Sequence, residues 1–76
     1  EERRKELIRM VRNTAEEGRI AVRNLRRNVK DEVESLNDIS EDDIRRAEKA
    51  LQELTDASVG RIDSLLARKE EELLEV

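Results

Sequence analysis

Lys5, Arg9, Arg12, Glu16, Arg19, Arg23, Arg26 and Lys30 follow one another at steps of 4, 3, 4, 3, 4, 3 and 4 residues. On a helix that spacing draws one continuous stripe, and it is cationic except at Glu16. The densest part is IAVRNLRRNVK at 20–30, where Arg23, Arg26, Arg27 and Lys30 stand without an acid among them. Arginine offers a planar fork of donors that matches phosphate, and eight of the ten cations in residues 3–30 are arginine. The chemistry within reach of such a row is recognition of a polyanion, with electrostatic affinity that falls steeply with salt.

The chain as a whole hides this. Its 76 residues carry a formal charge of −4, yet residues 3–30 hold ten Lys/Arg against three acids, and residues 31–76 hold six against fifteen. Like charges three or four residues apart destabilise an isolated helix by a few tenths of a kcal/mol per pair. A helix shaped only by stability would interleave signs, as Glu41/Arg45 and Asp42/Arg46 do later in the chain. The competing structural reading pairs the arginines with acids of a neighbouring helix. Arg19 and Arg26 lie nearest the apolar seam and could pair so, whereas Arg9, Arg23 and Arg27 project beyond its reach.

Other chemistries find little footing. There is no histidine, cysteine or aromatic residue, so the common general bases and nucleophiles, the usual zinc and haem ligands, and base-stacking platforms are all missing. The expectation is no enzyme, no cofactor and no small-molecule substrate. NDISEDD at 37–43 lacks the glycine of a calcium loop and reads as a turn followed by a helix start. No apolar run approaches the roughly 20 residues of a membrane span. The apolar face is rich in Ala and Val without Trp or Phe, which argues against lying on a membrane surface. The first residue is Glu1, not Met, and reads as the start of a processed or excised segment in an intracellular setting.

Two elements must position the stripe. Leu7, Val11, Ala15, Gly18, Val22, Leu25, Val29, Val33 and Leu36 cover 29 residues in eight steps, the helical period. Ile44, Ala47, Leu51, Leu54, Ser58, Ile62 and Leu65 repeat it. Between them Ser40 is an N-cap candidate, followed by Glu41, Asp42 and Asp43, where a helix dipole favours acids. The pattern predicts an all-α antiparallel hairpin with helices at about 2–36 and 41–75 and a turn at about 37–40. The apolar arc of the first helix, from Met10 through Ala21 and Leu25 to Ile8, spans roughly 160°, wider than one neighbour covers. A third helix or a second copy of the hairpin is expected to close the core. Of the two mid-helix glycines, Gly18 lies on the apolar arc and suggests close helix approach, while Gly60 reads as a tolerated cost. Ile20 stands on the polar side beside Asn24 and Arg27.

The stretches EERRKEL at 1–7, EEGRIAVRNLRR at 16–27, ISEDDIRRAEKALQELTD at 39–56 and KEEELLEV at 69–76 together resemble the ribosome recycling factor family, in order and along the whole chain. The resemblance implies the last two helices of that family's three-helix-bundle domain, without its first helix or its inserted β-rich domain. It implies a cytoplasmic translation factor of bacteria, or of an organelle matrix. Such a factor binds the large subunit of the post-termination ribosome. It splits the subunits with elongation factor G and that partner's GTP hydrolysis. The VRNLRR motif implies ribosomal-RNA contacts by Arg23, Asn24, Arg26 and Arg27, and EERRKEL adds Arg4. Arg19 and Lys30 join them on the same stripe. The turn LNDISED is about three residues shorter than the family leads one to expect. Two readings stand: a ribosomal-RNA-binding fragment of a recycling factor, or a structural hairpin that self-associates into a four-helix bundle, as a homodimer, without binding ribosomes.

Overall fold

The computed structural model describes residues 1–75. Among them there are two helices and no strand: α1, Glu2–Glu34, and α2, Glu41–Leu74. As the α1 partner moves from Arg12 to Arg19, its α2 partner moves back from Glu70 to Asp63, so the helices run antiparallel. The Cα trace measures 58 × 15 × 8 Å, a rod one hairpin wide. Neither helix is long and apolar enough to cross a membrane.

The helix ends follow from local chemistry. At the start of α2 the Ser40 hydroxyl accepts from the Asp43 N–H at 3.2 Å, and Glu41, Asp42 and Asp43 fill the first turn. The end of α1 comes at Glu34, short of the expected 36. There the Ser35 hydroxyl donates to the Glu32 carbonyl at 2.7 Å, and the Leu36 N–H reaches only three residues back, to Val33. That tighter bonding closes the helix and leaves residues 35–40 as the connection. Within α2 the arginines choose partners three residues away: Arg45 bonds Asp42 at 2.5 Å and Arg46 bonds Asp43 at 3.3 Å. The four-residue pairs suggested by the sequence give way to these.

The seam is thin. Ile8, Val11, Ala15, Val22, Val29 and Val33 of α1 face Ile44, Leu51, Val59, Ile62, Leu66 and Leu73 of α2, all half-buried. No hydrophobic side chain among the described residues is fully buried; Thr55, 6% exposed, is the one buried residue, its hydroxyl donating to the Leu51 carbonyl. Gly18 marks a close approach: a Cβ there would sit 3.3 Å from Ile62 Cδ1, whereas one at Gly60 would meet nothing within 4 Å.

On one side of the seam the apolar arc stays open, as its width implied. Leu25 and Leu54 are 62% and 65% exposed, and Met10 and Leu65 are likewise exposed. Nearer the chain ends, Leu7, Met10, Val11, Ala15, Ile62 and Leu66 line an apolar groove of about 580 Å³.

Candidate polyanion-binding face

The cationic stripe lies on the other side of the seam. Arg23 is two residues from Leu25, about 200° away around α1, so the open apolar arc and the arginines point in opposite directions. The structure divides the stripe along its length.

Toward the chain ends two of its cations, Arg12 and Arg19, are engaged by α2. The Arg12 guanidinium is hydrogen-bonded to the Glu70 carboxylate. Arg19, its side chain 19% exposed, donates through Nε to Asp63 at 2.7 Å and through Nη1 to Glu16 at 3.1 Å. The hydrogen bond to Asp63 is the main reason the Arg19 guanidinium is held above its ordinary pKa; partial desolvation opposes it, and the Asp63 and Glu16 charges add to it. These are the cross-helix pairs of the structural reading, and they fix the register of the hairpin. The Arg12–Glu70 pair was not legible beforehand.

Toward the turn the cations are free. Among the described residues Arg23, Arg26 and Arg27 have no ion pair, and neither does Arg9. Arg26 lies as near the seam as Arg19, but what stands opposite differs. Arg26 and Arg23 line a shallow groove of about 300 Å³ with Gln52, Thr55, Asp56 and Gly60. Its two acids are engaged elsewhere: Asp56 accepts from the Gln52 amide at 2.9 Å, and Asp63 is bonded to Arg19. Lys30 has only Glu34, at 3.9 Å. Asn24 is exposed beside Arg23 and Arg27. Arg4 sits apart near the first residue, with its guanidinium 3.8 Å from Glu1, roughly 28 Å along α1 from Arg23 at 1.5 Å per residue.

The cationic surface also continues where the stripe did not predict it. Lys49 of α2, exposed and without an ion pair among the described residues, shares a groove of about 390 Å³ with Arg26, Lys30, Arg45, Glu48 and Gln52. Its only signal in the sequence was its place just over two turns into α2, which says nothing until the register is known. Glu48 faces Glu34 across the seam. As a hydrogen-bond partner first, and through its charge after desolvation, it raises the Glu34 carboxyl above the ordinary carboxylate value; Lys30 opposes the rise.

This face can bind an extended anion: several guanidinium forks and an ammonium within one turn-proximal half of a rigid rod, next to a carboxamide, with no acid tying them up. Comparisons with known proteins agree with the motifs. The family model described as "Ribosome recycling factor" matches residues 1–74. A ribosome-recycling factor of Rubrobacter xylanophilus is 60% identical over 79 aligned positions, and one of Acidothermus cellulolyticus is 53% identical. A third, of Halorhodospira halophila, is 49% identical. Each alignment takes in the whole of this chain but only 42–43% of the relative, so the chain spans less than half the length of these curated relatives. Aligned over 79 positions, the 76 residues fall three short, a deficit equal in size to the shortening expected at the turn. With the family's model matched along α1, the connection and α2 alike, this hairpin belongs to the ribosome recycling factor family.

Proposed function

We propose that the chain is the ribosomal-RNA-binding part of a ribosome recycling factor, holding the large subunit through phosphate contacts from the free half of the cationic face. Arg23, Asn24, Arg26, Arg27 and Lys30 make the central contacts. Arg4 adds a distant one, and Arg19 contributes the edge of a guanidinium already engaged by Asp63 and Glu16. The observation that carries the reading is that, among the described residues, Arg23, Arg26 and Arg27 have no ion pair, in a hairpin whose other half pairs Arg12 and Arg19 across the seam. Like charges left unpaired cost helix stability, and contact with an external polyanion offsets that cost. In this reading the chain binds but does not split ribosomes by itself: recycling takes elongation factor G and the rest of the longer family architecture, in the bacterial cytoplasm or an organelle matrix.

Co-sedimentation with large ribosomal subunits across a salt series tests the reading. The chain is expected to bind at low salt and to lose affinity steeply as salt rises. The variant Arg23→Glu/Arg26→Glu/Arg27→Glu is expected not to bind, and equal binding by both chains would refute the assignment. Single Arg→Ala variants should each lower the salt slope by about 1.

A second observation favours self-association of the isolated hairpin: Leu25, Leu54, Leu65 and Met10 are exposed along one face. In the longer architecture that face suits the family's first helix; alone, it suits a second copy, giving a four-helix bundle. The proposals are compatible, because the apolar and cationic faces lie on opposite sides of the seam. Sedimentation equilibrium is expected to show a dimer at micromolar concentration. A fully helical monomer there would exclude self-association.

A further inference from the structure

From the two-walled groove at the turn end, we infer that Lys49 of α2 is part of the RNA-binding surface, so that one phosphate is held between the two helices, with Arg26 and Lys30 on one wall and Lys49 on the other. The inference rests on the ribosomal-RNA reading above and extends it from one helix to both.

The two grooves on the cationic side share Arg26 and Gln52 and so form one trough along the seam. Its two ends differ in charge. At the end toward Asp63 the α2 wall is acidic, and that acid is bonded to Arg19. At the end toward the turn the lining holds four cations, Arg26, Lys30, Arg45 and Lys49, against one acid, Glu48. Arg45 is already bonded to Asp42, and Lys30 has a long contact with Glu34. Glu48 faces Glu34 across the seam, and among the described residues it makes no ion pair with Lys49. Lys49 and Arg26 are therefore the unpaired cations, one on each wall. Gln52 lines the same trough with its amide nitrogen donating to Asp56, which leaves its carbonyl oxygen as an acceptor.

A phosphate has oxygens on more than one side, and cations on two walls neutralise it from both. A stripe on a single helix meets a backbone from one side only. The compact ammonium of lysine suits this role, since it contacts a phosphate as a point charge without needing the bidentate plane of arginine. A ribose 2′-hydroxyl beside the phosphate would find the Gln52 carbonyl oxygen as its acceptor.

The test measures binding to isolated large ribosomal subunits as a function of salt for the unmodified chain, Lys49→Ala, Lys49→Glu and Arg61→Ala. Arg61 is an exposed cation without an ion pair among the described residues, on the apolar side of α2, so Arg61→Ala removes the same charge away from the trough. Circular dichroism confirms equal helicity for all four. The result expected is a salt slope lower by about 1 for Lys49→Ala, the loss of one phosphate contact, with binding weakened several-fold. Lys49→Glu should weaken it further, and Arg61→Ala should leave both quantities unchanged. If Lys49→Ala matches Arg61→Ala while Arg26→Ala still loses a contact, Lys49 is outside the site and the ribosomal-RNA reading stands. If the Arg23/Arg26/Arg27 triple variant binds like the unmodified chain, or the unmodified chain does not bind, the ribosomal-RNA reading fails and this inference with it.

Discussion

Gly18 and Gly60 both interrupt long helices, and the seam makes them respond differently to the same substitution. Replacing a mid-helix glycine by alanine gains about 0.8–1.0 kcal/mol of intrinsic helix preference. At Gly60 the new Cβ meets nothing within 4 Å, so the whole gain should survive. For a chain of this size about 1 kcal/mol corresponds to a rise of about 4–8 °C in melting midpoint. At Gly18 the new Cβ lies 3.3 Å from Ile62 Cδ1, tighter than an ordinary carbon contact, and Ile62 must give way. Overpacking a well-filled core costs about 1–3 kcal/mol. Ile62 borders the open apolar groove and can move, so the cost should sit at the low end and cancel the gain. Gly18→Ala is thus expected to leave the midpoint nearly unchanged.

Adding Ile62→Val removes the offending methyl, and the double variant should show a favourable coupling of at least about 0.5 kcal/mol between the two sites. The assay is thermal melting followed by circular dichroism, all variants at one chain concentration, because self-association would shift midpoints by mass action. If Gly18→Ala stabilises as much as Gly60→Ala, with no coupling to Ile62, then close approach is not what the glycine at 18 provides.

Three further perturbations probe the ends and the charges. Ser40→Ala should cost about 1 kcal/mol by removing the cap on α2, and Ser40→Gly only a few tenths, read from the same melts. Asp63→Asn removes the acid that engages Arg19 and adds a positive increment at the trough edge, so binding to large subunits should tighten and depend more steeply on salt. Glu48→Gln acts through Glu34. Because Glu34 holds its proton more tightly in the folded hairpin than in the unfolded chain, its contribution to stability is present at acid pH. That contribution is lost as pH rises from the ordinary carboxylate value through the raised one. Removing the Glu48 charge should therefore raise the midpoint at neutral pH and narrow its difference from the midpoint at acid pH; an unchanged pH profile would show that the two carboxyls do not interact.

Features set by neighbours along the chain were legible beforehand. The 3.6-residue period gave both helices, Ser40 and three acids gave the start of α2, and the width of the apolar arc gave the uncovered face. The end of α1 was less so, because the Ser35 hydroxyl and a three-residue backbone bond compete with one more helical turn. Features set by the pairing of the two helices were out of reach. A wheel drawn for α1 ranks Arg19 and Arg26 alike, as the cations nearest the seam. Only the register places Asp63 opposite Arg19, and a Thr55–Gln52–Asp56 surface, its acid already bonded, opposite Arg26. The same register brings Glu70 to Arg12 and Lys49 to the trough. The four family motifs lie on both helices, so the resemblance was specific even where the charge pattern was not.

The division of the cationic stripe explains how a thin hairpin can keep unpaired arginines at all. With no fully buried hydrophobic side chain among the described residues, its seam has little stability to spare. Near the chain ends, farthest from the covalent connection, α2 supplies Glu70 and Asp63 to Arg12 and Arg19, so charge there helps hold the helices in register. Near the turn the connection and the Ser40 cap keep the helices together, and an unpaired arginine does less harm. Arg23, Arg26 and Arg27 therefore sit where the hairpin depends least on pairing them. Because the open apolar arc faces the other way, a third helix or a second copy can complete the core without covering a single one of Arg23, Arg26, Arg27 and Lys49. Stability supplied on one face leaves the other open for the proposed RNA contacts.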